Sequence, residues 1–522
     1  MNHNLSSQKE KSLSWCFFLA LSLIAGTALR IFSVLRESAI GDELFCRSVT
    51  LLPWKQSLQA VTKDVVTPPV HYMTYKAWSG VIGHELIELR VLALLFGIAV
   101  IIGTVLLGKF VFRDKRVAVL AGILVAGNDL QILFNHFARH YTMYSAIVLI
   151  LIALFWYAFE NPQKWGIWIA FTGLGTILVY THYVGWLYLL SFSLVVLIKR
   201  FRMMLKGYLT SLAIITLLFL PWIMLVLPHY RNRGGLATNL GWVKTPAFGA
   251  FSELFVRFSG LPGIYSSLLL FLAVGFFIIV IYGLVALKQS HSSCSPPTNQ
   301  ATLLIATIAI IPPCALFLLA RPPVKLPIWG IRHVMPSQAL WALLTALGIL
   351  SIARLKKRIV ILFIIVLAVS FQWLPSFKST MQLRFAPFSE VASYLKEVRG
   401  QTERIYTLYS PGRREVINYH LGSSLSVKML PKNIFKLPLL FSLIYDPDSK
   451  AERDKMISLE KLGYSVKRTQ SFTQLKYFRS HSTDRWALRV VCLSRGKEPT
   501  IRTEKSKKVM TKDDRQRISK DP

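Results

Sequence analysis

The sequence predicts a polytopic α-helical membrane protein that carries a small α/β domain toward its C-terminal end. Three observations predict it. The 522 residues are 53% hydrophobic with a mean hydropathy of +0.46, outside the range of soluble globular domains. Apolar stretches of about 20 residues recur, each long enough to cross a hydrocarbon core of roughly 30 Å as a helix. After Pro375 no stretch is apolar enough to span, and helical and strand periodicities alternate instead.

About eleven spans are expected, at roughly 15–34, 87–107, 117–134, 143–159, 165–181, 184–198, 208–227, 264–287, 301–320, 336–353 and 359–375. Lys9 and Lys11 precede the first, as in a signal peptide, but Arg30 and Phe32 make a poor cleavage site and more spans follow, so an uncleaved signal anchor is expected. Arg113, Lys115 and Arg116 follow the second span, Lys164 the fourth, Lys199 to Lys206 the sixth and Arg354 to Arg358 the tenth. By the positive-inside rule these connections are cytoplasmic, and so is the N-terminus. The opposite side of an inner (plasma) membrane then receives loop 35–86, the turn at Arg139, loop 228–262, residues 321–335 and everything after Pro375.

The chain therefore divides into a membrane domain at 1–375, a soluble extracytoplasmic α/β domain at 376–494 and a basic, disordered tail at 495–522. In the α/β domain the periodicity predicts helices at 389–398, 413–420 and 450–462 and strands at 405–409, 439–445 and 486–493. The five cysteines lack metal-ligand spacing and suggest neither a disulfide framework nor a zinc site. The formal charge of +35 fits nucleic acid, anionic lipid or an anionic substrate. Cytoplasmic loops account for part of it, and membrane lipids rather than nucleic acid are the expected partners.

Chemistry-bearing residues are few. Asp42 and Glu43 stand side by side just past the first span, and from Asn161 to Ser389 the only acidic residue is Glu253. Glu37, Asp64, Glu85, Glu88 and Asp129 are the other carboxylates in or near the early spans. Thr67-Pro68-Pro69 forms a stiff turn suited to lying against a membrane, followed by Tyr72 and Lys76 on a short amphipathic piece. Arg139, His182, His229, Arg231, Arg233, Arg321, Lys325, Arg332 and His333 fall on the outward side, where the positive-inside rule disfavours Arg and Lys. An anion such as a lipid phosphate would hold them there, because guanidinium donors match phosphate oxygens; snorkelling toward headgroups is the alternative.

In order, spacing and membrane side over roughly residues 15 to 400, these pieces resemble glycosyltransferase family 39 and its bacterial relatives: integral-membrane GT-C enzymes that include protein O-mannosyltransferases and the lipid A aminoarabinose transferase. The pieces are Gly41-Asp42-Glu43, Thr67-Pro68-Pro69 with Tyr72, Glu88-Leu89-Arg90, Gly108 to Arg116, Ala138-Arg139 with Tyr141 and Tyr144, Tyr180 to Tyr183, Ile331-Arg332-His333, and Pro387 to Val398. The resemblance implies a polyprenyl-phosphate sugar donor, an envelope lipid, glycan or protein acceptor, and extracytoplasmic chemistry. It implies Asp42 as general base with Glu43 beside it, and Arg139, Arg332, His333 and Lys76 toward the donor phosphate. Tyr72, Tyr141 and His182 would bind substrate. The chain departs from the family at Asn135-His136-Phe137, where a carboxylate is usual, so no obligatory metal or other cofactor is expected. A transporter or flippase of an anionic or polyprenyl-linked substrate is the reading from another class, and a non-catalytic scaffold a third. A transporter would show inverted repeats and broken midplane helices.

Overall fold

The computed structural model describes residues 2–232, 243, 245–259, 297–352, 366, 369–370, 373–374, 388–397, 404–408, 411–422, 425–431, 440–445, 447, 449–475 and 485–495. The expected span 264–287, most of 359–375 and the tail after 495 lie outside the described residues.

Ten helices form over the nine expected spans that fall in the described part, because the span 117–134 is two helices. Helix α1 (Asn2–Arg36) leads into three short helices of the first loop: α2 (Gly41–Leu51), α3 (Trp54–Asp64) and α4 (Val70–Ile82). Then come α5 (Leu86–Phe112), α6 (Lys115–Gly127), α7 (Asp129–Asn135), α8 (Tyr141–Glu160), α9 (Trp165–Thr181), α10 (Gly185–Val196) and α11 (Leu205–Asn232). The membrane part closes with α12 (Gly249–Phe258), α13 (Pro297–Leu319) and α14 (Met335–Ile352). Among the described residues, six helices are long and apolar enough to cross a membrane, or up to seven if the bent pair α6 and α7 is one span. Helices α9 and α10 are apolar but shorter, so the described residues carry fewer full spans than the eleven expected.

The span Ile331–Ser351 is 94% buried inside the protein, which makes α14 the centre of the bundle; a helix apolar on all sides belongs there. The expected span 117–134 is two helices meeting at 58°. Asn128 breaks it, because its side chain accepts from the Gln131 amide at 3.1 Å and caps α7. The carbonyls freed at the end of α6 go to Arg30, whose Nη1 donates to Ala126 O at 2.7 Å and Nη2 to Val125 O at 3.3 Å. The cation inside the first span is thus the cap of a helix that stops within the bundle.

The C-terminal part adds α15 (Phe388–Glu397), β1 (Ile405–Thr407), α16 (Pro411–Leu421), β2 (Val427–Met429), β3 (Leu440–Tyr445), α17 (Lys450–Lys461), β4 (Tyr464–Leu475) and β5 (Arg485–Arg495). The strand order is β2-β1-β3-β5-β4, with β1 parallel to both neighbours and β5 antiparallel to both of its own. Successive residues face opposite sides: Leu488 and Val490 join the apolar layer with Val391 and Leu395 of α15, while Val491 and Leu493 join that with Met456 and Leu459 of α17. Strands β2 and β4 were not anticipated. Each is an edge strand, and β4 carries Lys467 and Arg468, charges that blunt an exposed edge and hide the strand period.

This domain rests on the first loop. Ser389 and Ser38 share a hydroxyl hydrogen bond of 3.0 Å, the Ala39 amide donates to His420 Nε2 at 3.3 Å, and the Arg47 guanidinium lies 5.6 Å from the Tyr419 ring centre.

Candidate active site

Asp42 and Glu43 open α2, and consecutive helix residues point about 100° apart, so the two carboxylates part company. Asp42 is exposed and lines a cavity of about 530 Å³. The N-terminus of α2 favours its negative charge. Glu43 is 0% exposed. Its two oxygens accept from Arg90 Nε at 2.9 Å and Nη2 at 2.7 Å, from the Ala138 amide at 3.0 Å and from the Ile40 amide at 3.3 Å. Arg90 spends its other donors on Val34 O, Glu37 O and Ser38 O, at 2.9 to 3.2 Å. Glu43, expected beside Asp42 at the chemistry, is instead a sealed ion pair that fixes the end of α1, the start of α2 and the segment carrying Arg139.

Arg139 faces the same cavity from the turn between α7 and α8. Its Nη1 donates to the Tyr72 hydroxyl at 2.7 Å, its guanidinium lies 5.5 Å from the centre of that ring, and its carbonyl accepts from the Tyr75 hydroxyl at 3.1 Å. The guanidinium is therefore aimed before any ligand arrives. The Thr67-Pro68-Pro69 turn starts α4 and brings Tyr72 to it; burial raises the pKa of the Tyr72 phenol, which stays protonated.

Of the other expected residues, Tyr141, His182, Arg332 and His333 all line the cavity. Lys76 does not. Its ammonium donates to Thr50 O, at 3.1 Å, and to Leu52 O, over the Trp54 ring, and so caps the C-terminal end of α2, where a cation belongs. Arg321 is likewise engaged, donating to Pro246 O at 2.6 Å against the Phe248 ring. Glu253 is paired to Arg257 at 2.9 Å, which removes it as a rival base.

The cavity also holds Asp64 at the end of α3, one of the early carboxylates noted in the sequence, together with Trp329, His140 and, from α16 of the C-terminal domain, Glu415, to which the sequence reading gave no role. Only proximity could have singled out Glu415, whereas His140 adjoins Arg139 in the sequence. His140 and His182 are held neutral. Burial comes first in each case, followed for His140 by the neighbouring histidines and Arg139, and for His182, which falls to about 3, by Arg139 and Arg332. No metal was expected, yet one ligand nitrogen from each of His140, His182 and His333 lies within 4.8 Å of the others.

A helical membrane body, short helices in its first loop and a polar cavity that gathers loop 35–86, the Arg139 turn, the His182 turn and residues 327–333 define a polytopic helical membrane protein with a ligand-sized cavity built from its loops. In particular, the chain is similar to ArnT from Cupriavidus metallidurans: in the apo state with a TM-score of 0.54 and 12% identity, covering 92% of this chain and 98% of that one. The structure of ArnT bound to undecaprenyl phosphate gives 0.54 and 11%, covering 91% and 97%. At this identity the likeness establishes the fold alone. No protein-family model and no curated protein matches the sequence.

Proposed function

We propose that this chain is a membrane glycosyltransferase that moves a sugar from a polyprenyl-phosphate donor to an acceptor hydroxyl on the extracytoplasmic face. The observation that carries the reading is the pairing, across one cavity, of an exposed carboxylate at a helix N-terminus, Asp42, with a pre-oriented guanidinium, Arg139. Asp42 takes the proton of the acceptor hydroxyl as its oxygen bonds to the anomeric carbon. The carbon–oxygen bond to the lipid phosphate breaks, its electron pair leaves with the phosphate, and the anomeric centre inverts. Arg139 and Arg332 stabilise the charge that grows on the departing phosphate, and Tyr72 holds Arg139 in place. Residues 1–375 act as the catalytic body and 376–494 as a domain over the site, with the N-terminus cytoplasmic and an envelope lipid, glycan or protein as acceptor. The bound undecaprenyl phosphate of the ArnT structure supports a lipid-phosphate ligand in this fold.

The break between α6 and α7 is the feature a transporter would use. Arg30 and the Asn128 cap satisfy its polar groups within the protein, which leaves them committed rather than offered to a substrate.

The test is sugar transfer by the purified protein from a panel of radiolabelled polyprenyl-phosphate sugars to envelope lipid extract. Asp42→Asn should fold as the wild type does and transfer nothing; transfer at the wild-type rate would refute the mechanism.

A further inference from the structure

We propose that His140, His182 and His333 form a binding site for a transition-metal ion in the cavity wall, with zinc the natural occupant. The three rings come from three separate turns, before α8, after α9 and before α14, and one nitrogen of each lies within 4.8 Å of the other two. His140 is 2% exposed, and neither of its ring nitrogens has a hydrogen-bond partner; His333 Nδ1 is buried and lacks one as well. Buried polar atoms are almost always hydrogen-bonded, so orphaned nitrogens converging on one point mark a place for a ligand that accepts imidazole lone pairs. His182 Nδ1 accepts from the Val184 amide at 3.1 Å. That lone pair is committed to the backbone, so coordination by His182 requires its ring to release the Val184 amide.

Imidazole sets suit zinc, copper, iron and nickel rather than magnesium or calcium. A tetrahedral zinc shell needs nitrogens about 3.4 Å apart, so the rings must draw inward on loading. Arg139 and Arg332 both act on these rings, so a metal ion here needs an anionic counter-charge; Asp42, Asp64 and Glu415 line the same cavity. Three protein ligands leave a fourth position, where an anionic oxygen can complete the shell.

The site is tested without donor or acceptor, so its fate is separate from that of sugar transfer. Full-length protein lacking a polyhistidine tag is purified, stripped with chelator and titrated with Co²⁺, the visible d–d bands reporting tetrahedral coordination; zinc retained through gel filtration is measured by mass spectrometry. The expected result is one ion per chain, intense tetrahedral bands and a higher melting temperature with Zn²⁺. His140→Ala and His333→Asn should each lose the bands and the thermal shift while eluting as the wild type does. If a variant misfolds, the wild-type stoichiometry and spectrum decide the matter alone. Wild-type protein that retains no zinc, or shows only the weak octahedral spectrum of hydrated cobalt, overturns the proposal.

Discussion

Asp42 and Glu43 are neighbours in sequence and opposites in environment, and their variants should separate accordingly. Glu43→Ala strands Arg90 in the interior, and breaking a buried pair of this kind costs about 3–5 kcal/mol; a large drop in melting temperature in detergent is expected, whereas an unchanged value would mean that the four bonds to Glu43 do little. Asp42→Asn should leave stability near wild type and stop transfer. Asp64, the other first-loop carboxylate in the cavity, is the control: Asp64→Asn should keep measurable transfer, and equal loss in both variants would leave the base unassigned. Among the cations, Arg139→Ala should lower the rate roughly 100- to 1000-fold, the usual cost of removing one transition-state donor. Lys76→Ala should cost only about 0.3–1 kcal/mol of helix-end stabilisation and keep transfer. The Asp-Glu pair, Arg139 and the outward cations were legible because acids are so scarce in this chain. The division of labour within them was not, since hydropathy says nothing about which way adjacent side chains point or which carbonyls a lysine will find.

Among the elements, the broken span is the one whose sequence misleads. Residues 117–134 read as one apolar helix, yet Asn128 ends α6 and starts α7 at 58°. The partner that makes the break tolerable, Arg30, lies almost a hundred residues upstream. Arg30→Met should remove the 2.7 Å donor to the Ala126 carbonyl, at about 1–3 kcal/mol, and lower the melting temperature, while Val125 O keeps the Asn128 amide; stability equal to wild type would show that water or a neighbouring group takes over. Elsewhere the helices were legible by length and apolar period, and the first-loop turn by its two prolines. Strands β2 and β4 were not, because edge strands are selected for charge and brevity rather than for a clean alternation.

For the whole molecule, the docking of the C-terminal domain on the first loop brings a pH dependence. His420 accepts from the Ala39 amide and must be neutral to do so. Burial, then Arg90 and Lys396, lowers its pKa to about 4, against about 6.5 for a free histidine. As pH falls from 7 the undocked state takes the proton first, so docking weakens progressively between about pH 6.5 and pH 4. Amide exchange at residues 37–43, corrected for intrinsic rates, should accelerate over that window in the wild type and lose this pH dependence in His420→Asn; identical profiles would remove His420 from the contact. The sequence by itself determined that this is a membrane protein, where most of its helices run, that a small α/β domain follows, and which few charged residues merit attention, because apolar period, proline placement and residue counts are local quantities. Only the tertiary structure decided that Asp42 and Arg139 share a cavity while Glu43 and Lys76 do not, that three distant histidines meet, and that Glu415 reaches the site from another domain. Those facts depend on which turns the bundle brings together, and no local pattern encodes a distance between residues far apart in the chain.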